Sequence, residues 1–226
     1  MLYLENLGVY WNAVRSGVIA ESFYPALLAV CAFWLGACPF SVWIGKWFLG
    51  KDIRDYGDGN PGAANVFRAG GRKLGFLAVI LDMAKGAPFV VLAYSFFGFP
   101  EIVALAVALC AILGHVFSPF LRLRGGKAVA VTFGALIPLP QHEIPITFTI
   151  LMVLGFLLIE TDAWRTILGP VGTLTYLIIT RGNSVESLFM LCVLVIFVVK
   201  QYGDLQTMPR PNRRVINWLQ SRRRVT

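Results

Sequence analysis

Seven apolar runs, separated by short polar connections, take up most of this chain of 226 residues. Such runs are typical of helices that satisfy their backbone hydrogen bonds internally while they cross a bilayer. Only 14% of the residues are charged, against about 25% in soluble domains, and 57% are hydrophobic. We therefore predict an all-α, polytopic membrane helix bundle with about seven spans. The runs cover residues 24–45, 74–97, 102–121, 127–139, 146–159, 166–180 and 185–199.

The basic residues predict the orientation and the domains. Most of the 20 Lys and Arg residues fall after residue 199 or in connections that share one side of a seven-span chain. Because positively charged loops stay in the cytoplasm, we predict the N-terminus outside and the C-terminus in the cytoplasm. Residues 1–23 have apolar side chains at helical spacing and are predicted to form an interfacial amphipathic helix. Residues 24–199 form the predicted membrane domain, and residues 200–226 a basic tail suited to anionic lipids rather than nucleic acid.

A polar connection, "KDIRDYGDGNPGAANVFRAGG", joins the first two apolar runs. Glycine allows positive φ and close approach of the backbone to a ligand, and arginine pairs well with phosphate or carboxylate. Successive N–H groups in such turns form anion-binding concavities. A solvated connector is the alternative, but we predict a loop that folds around a small anion. Its candidate binding residues are Arg54, Gly57, Gly59, Asn60, Gly62, Asn65 and Arg68.

Asp82 and Lys85 lie three residues apart within the second apolar run, and so on one helix face. Ionisable residues inside a membrane usually face a bundle interior or a cavity. Two interpretations stay open here. Either the two side chains form a structural ion pair, or Lys85 presents its charge to an anionic substrate.

His115 and Ser118 share a face near the end of the third run, and "RLRGGKA" follows them. A glycine turn that leads into a helix N-terminus, beside a lysine, is a potential anion site. We therefore add Ser118, Gly125, Gly126 and Lys127 to the candidate residues. His115 alone is also compatible with an ordinary buried histidine.

The sequence lacks the motifs of several common enzyme classes. It contains no HExxH motif, no GxSxG motif and no cysteine pair at zinc spacing, and the GGK sequence is not a Walker A loop. The four cysteines all lie in apolar runs and are predicted to be small buried side chains. We predict no metal and no cofactor.

The strings "PFSVWIGKWFLGKDIRDYGDGNPGAANVFRAGG", "LDMAKG" and "GHVFSPFLRLRGGKAVA" together resemble the bacterial membrane acyltransferases that move an acyl chain from acyl phosphate to glycerol 3-phosphate. The resemblance covers about residues 36–131, in order and with the family spacing. It implies that the product is lysophosphatidic acid for phospholipid synthesis. It also implies a multi-pass protein of the inner (plasma) membrane with a cytoplasm-facing active site. The implied partners are acyl phosphate, glycerol 3-phosphate and membrane lipids, with no obligate protein partner.

The resemblance also assigns roles to residues. Asn60 and Asn65 match polar positions of the first motif, and Gly125 and Gly126 belong to a phosphate-binding second motif. We expect Arg54, Lys85 and Lys127 to bind the phosphate groups of the two substrates. Either His115 or the phosphate of the substrate would take the hydroxyl proton. The predicted catalytic residues are thus Arg54, Lys85, His115 and Lys127.

The chain departs from the family pattern at several positions. Ala37 and Asp58 stand where the family has serine, and Ala128 stands where it has glycine. The segment "KQYGDLQTMPRPNRR" lacks the histidine and the asparagine expected in a C-terminal third motif. Two alternatives therefore stay open: the same fold acting on a different acceptor, and a non-catalytic paralogue that binds anionic lipid or acyl phosphate.

Overall fold

A computed structural model of the chain describes residues 18–212, which are helical and contain only one isolated β-bridge, between Ile159 and Pro211. This confirms the all-α prediction for the described part. Most of the predicted interfacial helix, and residues 213–226 of the predicted tail, lie outside the described residues. The helices are α1 (Val18–Ala37), α2 (Phe40–Leu49), α3 (Ala63–Arg68), α4 (Arg72–Ala84), α5 (Pro88–Val91), α6 (Glu101–Val116), α7 (Val129–Leu136), α8 (Glu143–Leu158), α9 (Asp162–Arg181), α10 (Val185–Lys200) and α11 (Tyr202–Leu205).

Three helical segments of the described chain are long and apolar enough to cross a membrane: Phe23–Leu49, Arg72–Phe96 and Glu101–Leu121. Helix α8 is a shorter apolar helix. Helix α7 has eight residues and is about 12 Å long, far less than a hydrocarbon core of about 30 Å. The first segment breaks at Pro39, which lies between α1 and α2 and lacks the N–H that a continuous helix needs.

Glycines bring pairs of helices into close contact. In α1, a methyl group on Gly36 would overlap the backbone carbonyl of Ala111 in α6. Gly134 of α7 meets the carbonyl of Met83 in α4 in the same way, and Gly155 joins α8 to α9. Small residues are typical of such crossings in membranes, where packing rather than water exclusion holds helices together. Residues of α4, α6, α7 and α9 line one cavity, which is described below.

A small core cluster holds the glycine-rich connection against α2 and α4. Ile53 and Val66, both from this connection, are fully buried beside Val42, Ile44 and Ala78. The rest of the bundle has its own, larger cluster, which is centred on α6, α7, α8 and α10. The loop is therefore anchored at Ile53 and Val66, while its polar residues between them lie near one end of the bundle.

Candidate active site

Two adjoining cavities lie where the glycine-rich loop meets the ends of α6, α9 and α10. The larger has a volume of about 480 Å³ and the smaller about 420 Å³. Four residues line both cavities, namely Asp58, Asn60, Lys127 and Gln201. Lys127 therefore lies at their junction, as a site for two reactants requires.

The larger cavity combines a charged end with an apolar groove. Arg68, His115, Asp162 and Arg165 line the charged end together with Lys127. The groove runs between α3, α4, α7 and α8, so an apolar chain and a phosphate group would fit the same space. Its apolar lining comes from Phe67, Val79, Met83, Val129, Phe133 and Phe156.

The smaller cavity is polar and is completed by the C-terminal end of α10. Arg124 and Lys200 contribute positive charge, and Asp204 contributes a carboxylate. The ammonium group of Lys200 donates to the carbonyl of Val116 at 3.3 Å. The sequence predicted a tail from residue 200 onward, and the structure shows that the first residues of this segment line the candidate site.

The glycine-rich loop folds around the carboxylate of Asp58. Gly57 and Gly59, with φ of 59° and 70°, adopt the left-handed conformation on either side of it. The side chain of Asn65 donates to Asp58 Oδ1 at 3.0 Å, and the backbone N–H of Asn60 donates at 3.2 Å. The loop therefore surrounds a carboxylate of its own, whereas the sequence predicted a loop around a small bound anion.

Lys127 reaches two carboxylates. Its Nζ lies 2.8 Å from Asp58 Oδ2 and 3.1 Å from Asp204 Oδ2. Burial opposes ionisation of the Asp58 carboxyl, but the hydrogen bond and charge of Lys127 outweigh it and lower the pKa of Asp58. Lys127 and Asp58 are thus both charged in the folded protein at neutral pH.

The backbone N–H groups of Gly125 and Gly126 do not point to a free anion site, as the sequence predicted, but bind carbonyl groups of the protein. Their N–H groups donate to the carbonyls of Val116 and His115, each at 3.1 Å, and so satisfy carbonyl groups at the end of α6. A methyl group on Gly125 would overlap the His115 carbonyl, and one on Gly126 would overlap the His115 imidazole. The pair therefore positions Lys127 and His115, while its N–H groups are already used within the protein.

Lys85 forms the structural ion pair that the sequence left as one of two interpretations. Its Nζ lies 2.7 Å from Asp82 Oδ1 and donates to the Cys38 carbonyl at 2.8 Å, and both side chains are buried. Ser41 donates to the other oxygen of Asp82 at 2.5 Å. Ser118 is also buried and donates to the Ala37 carbonyl at 2.5 Å. These polar groups join neighbouring helices; Asp82 also lines the larger cavity, whereas Lys85 and Ser118 line neither of the two.

Arg54 lies apart from the other predicted catalytic residues. Its guanidinium donates twice to the carboxylate of Asp52, at 2.9 and 2.6 Å, and this pairing lowers the pKa of Asp52 to about 2. Arg54 lines neither of the two cavities. The predicted convergence of three cations is therefore corrected: Lys127 and Arg68 meet at the site, Lys85 pairs with Asp82, and Arg54 pairs with Asp52.

Sequence reasoning missed several residues that line the cavities. Arg165 pairs with Asp162 at 2.7 Å at the start of α9, and Thr166 donates to Gln201 at 2.9 Å. The only signal for the first pair was two opposite charges three residues apart directly after an apolar run. The described residues contain no group of three His, Cys, Asp or Glu side chains that could hold a metal ion.

The fold and the site define a class: a helical membrane protein with a charged cavity that continues into an apolar groove. A family model described as glycerol-3-phosphate acyltransferase matches residues 26–208. The glycerol-3-phosphate acyltransferase of Bacillus cytotoxicus is 37% identical over 184 residues, which cover 80% of this chain and 88% of the relative. That of Listeria monocytogenes is 30% identical over 196 residues, with 85% and 97% covered. The chain therefore belongs to the glycerol-3-phosphate acyltransferase family.

A solved structure supports the same assignment. The integral membrane glycerol 3-phosphate acyltransferase PlsY, in its glycerol 3-phosphate form, matches this structure with a TM-score of 0.73 and 25% identity. The match covers 80% of this chain and 90% of PlsY. The family resemblance and the enzyme class predicted from the motifs are confirmed.

Proposed function

We propose that the chain transfers an acyl group from acyl phosphate to glycerol 3-phosphate, giving lysophosphatidic acid for phospholipid synthesis. The family assigns the acyltransferase activity, the resemblance of the motifs implies the acyl phosphate donor, and the cavity has room for it. The observation that carries it is the position of Lys127, at the junction of a cavity with an apolar groove and a second, polar cavity. An acyl phosphate fits the first, and a small phosphorylated alcohol fits the second.

The apolar groove is the proposed site of the acyl chain. Phe67 of α3, Phe133 of α7 and Phe156 of α8 contribute aromatic surface to it. Burial of apolar surface stabilises binding by roughly 25 cal/mol per Å², so a long acyl chain would supply much of the binding free energy. The acyl phosphate group would then lie at the charged end, beside Lys127 and Arg68.

The reaction needs little covalent help from the protein. The substrate hydroxyl attacks the acyl carbonyl carbon, a new C–O ester bond forms, and the C–O bond to the phosphate breaks. Lys127 and Arg68 would balance the charge on the attacking and leaving groups, which is a large term in such reactions. His115 lines the same cavity and is the proposed acceptor of the hydroxyl proton, with the departing phosphate as the alternative.

An activity assay tests this proposal directly. We expect purified protein to convert acyl phosphate and glycerol 3-phosphate to lysophosphatidic acid, detected by mass spectrometry. Replacing acyl phosphate by acyl-CoA is the control for the donor, and a panel of other alcohols is the control for the acceptor. Absence of product from folded protein would refute the proposal and leave the non-catalytic alternative.

We also propose about seven membrane segments, of which α7 is too short to span alone, with the active site facing the cytoplasm of the inner membrane. The end of the bundle opposite the cavities carries Arg181, which pairs with Glu143 and Glu186. The cavity end carries lysines and arginines of the connections, such as Arg124 and Lys127. This asymmetry is typical of a cytoplasmic cavity end.

Cysteine labelling in intact cells would check the orientation. In a background without the four native cysteines, Lys73→Cys at the cavity end should be protected from a membrane-impermeant maleimide. Asn183→Cys, at the opposite end, should be labelled. Both positions are exposed in the structure. The reverse pattern would contradict the proposed orientation.

A further inference from the structure

The carboxylate of Asp58 occupies the centre of the donor set that a phosphate would need. Lys127 contacts one of its oxygens at 2.8 Å. Arg68, the side-chain amide of Asn65 and the backbone N–H of Asn60 contact the other, at 3.4, 3.0 and 3.2 Å. Two cations and two neutral N–H donors around one anion form a typical phosphate site.

The cations of the cavity are also neutralised by other carboxylates of the chain. Asp204 contacts Lys127 at 3.1 Å, and Asp162 contacts Arg68 at 3.4 Å and Arg165 at 2.7 Å. A substrate phosphate that approaches this region therefore meets like charge as well as opposite charge. Asp58 has the most direct effect among these carboxylates because it lines both cavities.

We propose that Asp58 is an internal competitor of the substrate phosphate and so sets the affinity of the site for phosphorylated substrates. A phosphate would bind to Lys127 and Arg68 as the Asp58 carboxylate turns away. The Asp58 side chain is 29% exposed and lies in a turn of flanking glycines, so its carboxylate has space to rotate toward solvent. The inference rests on the proposed function only in naming the ligand as a phosphate-bearing substrate.

Asp58→Asn separates this role from a merely structural one. Asparagine keeps the shape of aspartate and an oxygen that accepts from Asn65 and from the backbone of Asn60. It removes the negative charge beside Lys127. A structural role of Asp58 in the loop would therefore survive in this variant, whereas competition with phosphate would be lost.

The experiment is calorimetric titration of detergent-solubilised full-length protein with glycerol 3-phosphate, and separately with inorganic phosphate, without any acyl donor. We expect the Kd of Asp58→Asn to be at least about tenfold lower than that of the wild type, because the phosphate then binds Lys127 without displacing a carboxylate from it. KM for glycerol 3-phosphate should fall by a similar factor. Asp55→Asn removes an exposed charge from the same loop and should leave Kd unchanged.

Three outcomes would overturn the inference. An unchanged or higher Kd in Asp58→Asn would show that the carboxylate does not compete with phosphate. A large loss of kcat would make Asp58 part of the reaction itself. Asp58→Ser serves as a second variant, and failure of both variants to fold would make the role structural. Because Kd is measured without turnover, tighter binding by a protein that forms no product would refute the proposed reaction and leave the role of Asp58 intact.

Discussion

Acyl transfer by a Lys127→Ala variant should be slower than that of the wild-type protein by about 100- to 1,000-fold. Lys127 lies at the junction of the two cavities, and its loss would leave the carboxylates of Asp58 and Asp204 without their shared cation. Both reactants are anions, so the site would then repel them. The measurement is the initial rate of lysophosphatidic acid formation at saturating acyl phosphate.

Two controls make the Lys127 result interpretable. Lys73→Ala removes an exposed lysine from the start of α4 and should change the rate by less than about twofold. Lys127→Arg keeps the charge and should retain more activity than Lys127→Ala. A folded Lys127→Ala variant with a wild-type rate would contradict the proposed role of this lysine.

Removal of Lys85 alone should destabilise the protein by about 3–5 kcal/mol, because it leaves the buried carboxylate of Asp82 without its partner. Both side chains of the pair are almost completely buried, at 2% and 3% exposure. The double variant Asp82→Asn and Lys85→Met replaces both charges by neutral groups of similar size. We expect it to recover most of the stability that Lys85→Ala loses. The difference in stability is measured by unfolding each variant in detergent, either with heat or with a denaturant.

Activity of the same double variant distinguishes the two interpretations of Lys85. If Lys85 only joins helices, the folded double variant should transfer acyl groups at close to the wild-type rate. A stable but inactive double variant would show that the Asp82–Lys85 pair acts on the substrate, since Asp82 also lines the larger cavity. Lys46→Met, which breaks an exposed pair with Asp52 at 3.8 Å, is the control and should cost less than about 1 kcal/mol.

Much of the fold could be predicted because apolar length alone decides where membrane helices form. The run at 102–121 became α6 with a short 3₁₀ turn, and the run at 185–199 became α10. The break at Pro39 was also visible as a helix-breaking residue, yet the prediction carried one span through it. The close crossings of glycines with backbone carbonyls depend on which helices become neighbours, and hydrophobicity does not encode this.

The site could be predicted in its residue types but not in its pairing. The glycine-rich loop and the RGGK segment did come together, because both end at the same side of the bundle. Which cation meets which carboxylate depends on tertiary distances, so Arg54 and Lys85 were predicted at the site although each has a local acidic partner. Asp58 was noticed only as a departure from the family pattern, and its contact with Lys127 could not be read from its place in the chain.

The most direct test of the central claim is an experimental structure with glycerol 3-phosphate and a non-reactive acyl phosphonate bound. We predict phosphate or phosphonate oxygens within hydrogen-bonding distance of Lys127 Nζ and the guanidinium of Arg68, with the acyl chain in the groove beside Phe133. Phosphate groups bound elsewhere, with Lys127 still paired to Asp58, would contradict it.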